Sequence, residues 1–255
     1  MNTKLNLKRY QVVQVAGGLG TRLRHRTGDG LPKPLLTLDG RTLLDLAIST
    51  YVRNGLKDFV FLLGYHADKI KEYIGDGSKF GINVKFSIEP RMLGKGGALK
   101  FALEQGVIDR KRPCIISYPD DLILIKDFPK KLIRRHLVGL KKGCLATVVR
   151  VTKTQYRYGV IYADDEGVVV DFQEKPFIPY PGNVGIYVLE PPIYDIIEEV
   201  VDLSKAPVDF EKVVVPRLVT ERLLFTFTIP YESWIPVNEE KEFRLAEKRI
   251  KELKW

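Results

Sequence analysis

The chain has 255 residues, 45% hydrophobic and 29% charged, enough apolar material for one large α/β domain or two small ones and too much for a disordered chain. Its net charge of +9 and pI of about 9.4 admit two kinds of anionic partner, nucleic acid or a phosphorylated substrate. With no helix-turn-helix signature, zinc-finger spacing or aromatic RNA-binding motif, a nucleic-acid protein is not expected, and the basic stretches DRKRP and IRRHLVGLKKG read as solvated helix faces and loop flanks.

No apolar run approaches the roughly 20 residues of a membrane span. The start MNTKLNLKRYQ has basic residues but no apolar stretch or cleavage site, so a cytoplasmic protein is expected. Cys114 and Cys144 lie in apolar runs without metal-ligand spacing and are expected to be reduced core thiols.

The first half alternates strands with helices. QVVQVA ends at glycine like a buried parallel strand. RTLLDLAISTYVRNG places Leu43, Leu44, Ala47, Ile48, Tyr51 and Val52 on one helical face and stops at Gly55. KDFVFLLG is a second strand, ADKIKEYIGDG a short helix, INVKFSI a strand, KGGALKFALEQG a helix and PCIISY a strand. This order implies βαβ units and a parallel sheet.

The second half is richer in strands: CLATVVRV, GVIYAD, GVVVDFQE and NVGIYVLE, with ADDEG as a hairpin turn. Helices follow at PPIYDIIEEVV and PVDFEKVVVPRLVTE, then the strand LLFTFTI. NEEKEFRLAEKRIKELK closes the chain as an amphipathic helix, acidic first and basic last, as its dipole favours. With no linker, low-complexity tract or repeat, residues 1–255 read as a single domain. About 1–120 would form a nucleotide-facing half and about 121–255 a β-rich second half.

A strand feeding a Gly-rich turn brings backbone N–H groups against phosphate oxygens. After QVVQVA come Gly17, Gly18, Leu19, Gly20, Thr21 and Arg22, then Pro32-Lys33-Pro34. The dinucleotide fingerprint fails because its third glycine would fall at Leu23, and no Gly-Lys-Ser/Thr completes a Walker loop. The pattern remains a phosphate cradle, with Arg22 as a forked donor and Lys33 as a point charge between prolines.

These residues resemble a known family, the sugar-phosphate nucleotidyltransferases (NDP-sugar pyrophosphorylases), whose hallmark A-G-G-x-G-T-R-L followed by P-K-P is matched by AGGLGTRL and PKPLL. The likeness continues in order through GYHADKIKEYIGDGSKFGINVKFSIEP, MLGKGGAL, YGVIYADDEGVVVDFQEKP, NVGIYVLEPPIYDII and DFEKVVVPRLV. It is nearest to mannose-1-phosphate guanylyltransferases and glucose-1-phosphate thymidylyltransferases. The resemblance implies a Rossmann-like α/β/α fold with a mixed, mostly parallel central sheet. No hexapeptide repeats are present, so no C-terminal left-handed β-helix and a single activity are expected.

The implied reaction is Mg²⁺-assisted attack of a sugar 1-phosphate on the α-phosphorus of an NTP, giving NDP-sugar and pyrophosphate. Two polyanions must meet, so positioning and electrostatics dominate. By the resemblance, Ala16, Gly17, Gly18, Gly20, Thr21, Glu89 and Gly94 bind nucleotide. Arg22 stabilises the departing pyrophosphate and Lys33 contacts the α-phosphate region. Lys175 neutralises the sugar phosphate, while Gly159, Glu174 and Asn183 bind sugar hydroxyls.

Asp120, just past the end of PCIISY, matches the family's metal-binding aspartate; Asp121 competes, but alternation turns it elsewhere. Many relatives place a second aspartate in W-x-D. Here Pro236 stands at that position, and the V-N form found in other relatives assigns Asn238 as the second ligand, its rival role being a helix N-cap. The loop departs too: GDGL lengthens its tip, which is expected to be more flexible, and His25-Arg26 replace Pro-Leu. Lys95 stands where a threonine is usual, bringing a cation near the nucleotide. Glu89 accepts but cannot donate, which favours GTP or CTP over UTP or dTTP.

Two other readings carry weight. One is the same fold with a non-sugar acceptor, as in inositol- or choline-phosphate cytidylyltransferases and molybdopterin nucleotidyltransferases, against which the E-K-P and N-x-G-I-Y blocks speak. The other is a silent NDP-sugar-binding regulatory homologue, suggested by Pro236 alone. A homo-oligomer is admitted without being readable.

Overall fold

The computed structural model describes residues 5–28 and 30–253, so Asp29 in the longer loop and Lys254 at the end of the predicted last helix lie outside it. In chain order the first strand is β1 (Gln11–Val15). The glycine loop and the short helix α1 (Arg24–Thr27) come next, then the hairpin β2 (Thr37–Leu38) and β3 (Arg41–Thr42). Helix α2 (Leu43–Val52), strand β4 (Asp58–Leu63), helix α3 (Ala67–Ile74), strand β5 (Asn83–Ile88), helix α4 (Gly94–Glu104) and strand β6 (Cys114–Ser117) complete the alternating half. Beyond it lie β7 (Asp121–Ile123), α5 (Phe128–Leu140), β8 (Ala146–Val151), β9 (Thr154–Gln155), β10 (Val160–Ala163), β11 (Val169–Gln173), β12 (Phe177–Ile178) and β13 (Gly182–Leu189). The last elements are α6 (Pro192–Val200), α7 (Phe210–Thr220), β14 (Leu224–Ile229), β15 (Trp234–Pro236) and α8 (Glu240–Leu253).

Seven strands form one sheet in the order β14-β8-β13-β6-β1-β4-β5. β1 pairs parallel with β4 and β6, β4 with β5, and β14 with β8; β13 alone runs against its neighbours β6 and β8. The sheet is therefore mixed and mostly parallel, with helices on both faces. Its central strands are apolar runs because both faces are covered. In β4, Phe59, Phe61 and Leu63 join the core containing α2, α3 and α5, while Val60 and Leu62 join the core containing α4, α6 and α7. The same alternation puts Val12 and Ile115 on one side and Val13 and Ile116 on the other.

Two elements outside the sheet matter for the site. β7 and β15 form an antiparallel ribbon in which Trp234 faces Ile123 and Pro236 faces Asp121. A third apolar cluster, with Phe243, Ala246 and Ile250 of α8 against Leu23, Leu36, Leu122 and Ile235, clamps that ribbon to the glycine-loop segment. Helix α2 starts with a reciprocal cap, in which the Asp45 N–H donates to Thr42 Oγ1 at 3.0 Å and the Thr42 N–H to Asp45 Oδ2 at 2.8 Å.

One sequence expectation needs correction. Cys114 is a buried thiol, whereas Cys144 is half-buried, because it lies in the turn between α5 and β8; both are free. IRRHLVGL lies in the amphipathic helix α5, which buries Phe128, Leu132, Ile133 and His136 under the sheet and turns Arg134 and Arg135 to solvent, as expected of a solvated basic helix face.

Candidate active site

β1 and β6 lie side by side and parallel, but the chain leaves them in opposite directions across the sheet: β4 and β5 extend one way, β13 and β8 the other. At such a switch point the connections diverge and leave a crevice beyond the strand ends. The glycine loop leaves β1 there, and Tyr118, Pro119 and Asp120 leave β6 there. They line a cavity of about 420 Å³. Every residue assigned from the sequence to nucleotide or metal lines it: Ala16, Gly17, Gly18, Gly20, Thr21, Arg22, Lys33, Glu89, Gly94, Asp120 and Asn238.

Local conformation explains the loop's composition. Gly20 sits at φ +61°, and a Cβ there would lie 2.9 Å from Lys33 Cβ, so the glycine lets the Lys33 segment close against the loop. Lys33 is 10% exposed, and its ammonium donates to Asp120 Oδ2 at 2.6 Å and to Asn238 Oδ1 at 2.9 Å. Asn238 reaches that point through the β7–β15 ribbon, where the Val237 N–H donates to the Asp120 carbonyl at 2.8 Å. Pro236 has become part of the ribbon backbone, opposite Asp121.

Asp121 turns away from the cavity mouth and accepts from Trp234 Nε1 at 2.8 Å; burial beside the Asp120 charge holds its carboxyl well above the ordinary carboxylate value. Arg22 stands at the rim, its guanidinium 4.0 Å from Glu239 and largely exposed. His25 and Arg26 are tied to α8 through Glu240, at 2.9 Å for the imidazole and 2.6 Å for each guanidinium bond, and Arg26 lies 4.0 Å over the Phe243 ring.

Glu89 forms the far wall. Its Oε2 accepts from the Leu93 N–H at 3.0 Å, and a side chain at Gly64 would collide with its Oε1. Burial raises its pKa, opposed by that backbone hydrogen bond.

Asp120 Oδ2 and Asn238 Oδ1 already converge on one cation, the Lys33 ammonium, so two oxygen donors are placed around a single positive centre. One carboxylate and one amide oxygen, completed by substrate phosphates, is a donor set that suits Mg²⁺. Among the described residues no cluster of three or more His, Cys, Asp or Glu side chains forms a metal cage.

The sugar-side residues lie elsewhere. Gly159, Glu174, Lys175 and Asn183 are not in the wall of the cavity. Glu174 and Lys175 pair at 3.2 Å, both more than half exposed, and Lys175 adopts a left-handed φ of +46°. Asn183 Nδ2 donates to the buried Tyr187 hydroxyl at 2.7 Å, and its Oδ1 accepts from the Gly185 N–H at 2.8 Å.

Sequence reasoning missed Tyr118 and Met92 in the wall and Glu211 behind it. Lys95 lies 4.8 Å over the Tyr118 ring and 3.3 Å from Glu211 Oε1, whose companion oxygen is buried without a hydrogen-bond partner. The strand alternation within PCIISY, which puts Cys114 and Ile116 on one face, continues to Tyr118 and would have flagged it. Nothing local in DFEKVVV points Glu211 toward Lys95.

The model of the nucleotidyl transferase family matches residues 12–247. The chain is 30% identical over 233 residues to the mannose-1-phosphate guanylyltransferase catalytic subunit beta of Drosophila melanogaster, and 31% identical over 234 residues to the mannose-1-phosphate guanyltransferase of Saccharomyces cerevisiae. Each match covers 90% of this chain but only 59% and 61% of the relative, so the chain spans about 60% of the length of these curated relatives. Among solved structures, HddC from Yersinia pseudotuberculosis superimposes with a TM-score of 0.68 at 25% identity, over 94% of this chain and 99% of that one. A Bacillus anthracis protein described as a glucose-1-phosphate thymidylyltransferase superimposes with a TM-score of 0.72 at 16% identity, over 94% of both chains. With the family model matched across residues 12–247, the chain belongs to the nucleotidyl transferase family.

Proposed function

We propose that this chain transfers a nucleotidyl group from an NTP to a sugar 1-phosphate, releasing pyrophosphate. The observation that carries the reading is the convergence of Lys33, Asp120 and Asn238 at the mouth of the glycine-loop crevice. In this reading the backbone at Gly17, Gly18 and Gly20 lies along the triphosphate, with no side chain at those three positions to hold it off. Lys33 sits against the α-phosphate, where charge builds as the sugar-phosphate oxygen attacks. Arg22, exposed at the rim and 4.0 Å from Glu239, meets the departing pyrophosphate.

Asp120 and Asn238 would hold Mg²⁺, which supplies charge neutralisation between the reacting phosphates. The nucleophile is an ionised phosphate oxygen, so no general base is required. Lys175 offsets the charge of the incoming sugar phosphate, and Gly159, Glu174 and Asn183 bind its hydroxyls.

Guanine is the base that fits best. Glu89 presents an acceptor-only carboxylate at the cavity wall, matching the N1–H and N2–H₂ donors of guanine. The guanylyltransferase names of the curated relatives support the same choice. No helix among the described residues is long and apolar enough to cross a membrane, which accords with a cytoplasmic enzyme.

The test is a matrix of GTP, CTP, UTP and dTTP against mannose and glucose 1-phosphates, read as pyrophosphate release with Mg²⁺. GTP-dependent turnover supports the reading; preference for UTP or dTTP overturns the base assignment, and no turnover with any pair overturns the activity.

A further inference from the structure

Lys33 and Lys95 both line the crevice, and they arrive from opposite faces of the sheet. Lys33 belongs to the loop segment whose leucines pack on α2 and α8, on the side that α2, α3 and α5 cover. Lys95 is the second residue of α4, which packs on the other side with α6 and α7.

Lys95 is held by tertiary contacts rather than by its own loop. Its Nζ donates to Glu211 Oε1 at 3.3 Å and lies 4.8 Å over the Tyr118 ring. Glu211 is fixed in turn, because Asp209 caps α7 and its Oδ1 accepts from the Glu211 N–H at 2.9 Å. The Val208 N–H donates to the Leu93 carbonyl at 2.7 Å and the Gly96 N–H to the Val208 carbonyl at 2.9 Å, which locks the start of α7 to the start of α4. Gly94, at φ +74°, permits that approach: a Cβ there would lie 2.6 Å from the Val208 carbonyl oxygen. Glu211 Oε2 is buried without a hydrogen-bond partner, so the carboxylate offers Oε1, and the ammonium takes it. A buried, unpaired carboxylate oxygen costs stability, which separates this pair from an incidental surface ion pair.

We propose that Lys95 is a further catalytic residue, the cation that meets the acceptor's phosphate inside the crevice, with Glu211 as the positioning residue that holds it there. The inference rests on the nucleotidyl-transfer reading above. Placement selects the acceptor over the nucleotide. The base side adjoins the glycine loop, since a Cβ at Gly17 would lie 2.9 Å from Glu89 Oε1. Tyr118, beneath Lys95, adjoins β13 instead: its ring lies 3.2 Å from where a Gly185 Cβ would be, and the Gly185 N–H donates to Asn183, a residue proposed for the sugar hydroxyls. Lys95 therefore stands where the nucleotide cavity meets the Asn183 side, whereas Lys175 lies outside the cavity wall.

That is where repulsion between the two substrates peaks. As the acceptor oxygen bonds to the α-phosphorus, the bond to the bridging oxygen breaks and its electron pair leaves with pyrophosphate. Lys33 offsets the charge from one face of the sheet and Lys95 from the other. The Lys95 side chain is 44% exposed, and an ammonium has three N–H donors, so Glu211 can hold it while it still presents donors to a phosphate.

The test is steady-state pyrophosphate release with whichever NTP and sugar 1-phosphate of the matrix above the wild type turns over fastest. Lys95→Ala should raise KM for the sugar phosphate on the order of 10- to 100-fold, the loss of one charge-assisted contact, while the Kd for NTP by calorimetry stays within about twofold. Lys95→Gln, which keeps the length, should show the same rise, and Lys95→Arg should recover most of the loss. In the reverse direction KM for NDP-sugar should rise and KM for pyrophosphate should not. Glu211→Gln should raise KM for the sugar phosphate by a smaller factor, and the double variant with Lys95→Ala should be no worse than Lys95→Ala alone, because Glu211 acts through Lys95. An unchanged KM for the sugar phosphate in Lys95→Ala and Lys95→Gln overturns the proposal. A weakened Kd for NTP overturns it too, by assigning Lys95 to the nucleotide, and additive losses in the double variant overturn the role of Glu211. A wild type that turns over no pair is a distinct result, which removes the activity itself and this inference with it.

Discussion

Lys33, in the β1–β6 crevice, is 10% exposed and donates to two side-chain oxygens; Lys175, at the base of the β10–β11 ribbon, is 55% exposed and ion-paired with its neighbour Glu174. Both lysines belong to the same expected chemistry, but their surroundings differ in kind. The crevice is made by a topological feature, two adjacent parallel strands whose chains diverge, so its residues meet without any ligand. The proposed sugar side hangs on a two-stranded ribbon that contributes little burial. In the proposed reaction a pre-organised nucleotide side and an open acceptor side mean that the two substrates would meet unequal degrees of order, and that damage to each half should show in a different kinetic constant.

The sharpest break of that comparison is Asp120→Ala, expected to lower kcat about 10³-fold with the fold intact, since it removes the carboxylate to which the Lys33 ammonium donates; single-turnover pyrophosphate release measures it. Lys175→Ala should act on the other half. Loss of a charge-assisted contact worth about 1.5–3 kcal/mol raises KM for the sugar phosphate on the order of 10- to 100-fold, while nucleotide affinity, read by calorimetry, stays unchanged. If both variants alter nucleotide binding equally, the two halves are not separable.

Trp234→Phe strips the donor from Asp121 and should cost about 1–3 kcal/mol of stability in denaturant unfolding. It loosens the ribbon that carries Asn238 and so tests how far the crevice depends on it.

Two pH experiments sharpen the comparison with smaller effects. Burial raises the pKa of Glu89, so from the ordinary carboxylate value upward the folded state keeps a proton that the unfolded chain has released. Stability therefore falls as pH rises through that window, and Glu89→Gln should flatten the decline in melting temperature. Glu240 has the opposite sign: hydrogen bonds from Arg26, His25 and Arg244 hold its pKa far below the usual range. Its contribution is present above the ordinary carboxylate value and fades as pH drops toward the depressed one. Glu240→Gln should thus lower the melting temperature slightly at neutral pH and not in strong acid.

Legibility in the sequence followed burial. β1, β4 and β6 read directly because both their faces are covered, which leaves continuous runs of Val, Ile, Leu and Phe. The glycine loop and its cations read directly because phosphate binding demands particular backbone freedom and charge within a short span. The β7–β15 ribbon did not: each strand is three residues long, and the register joins Asp121 to Pro236 across the chain. Lys95 could be placed near the cavity from its loop, but its partner Glu211 comes from α7, a tertiary choice with no local signature. Lys33 was legible as a cation, yet its grip on Asp120 and Asn238 depends on α8 closing the ribbon over the loop.

That grip has an electrical consequence. With an ammonium tethered between them, the carboxylate and amide that would coordinate a divalent ion are already screened, so the resting crevice supplies its own counter-charge and shows little bare negative field to ions in bulk solution. A magnesium ion that arrives already carried by a triphosphate brings with it the anion that can draw the lysine aside, whereas a naked one must displace it unaided.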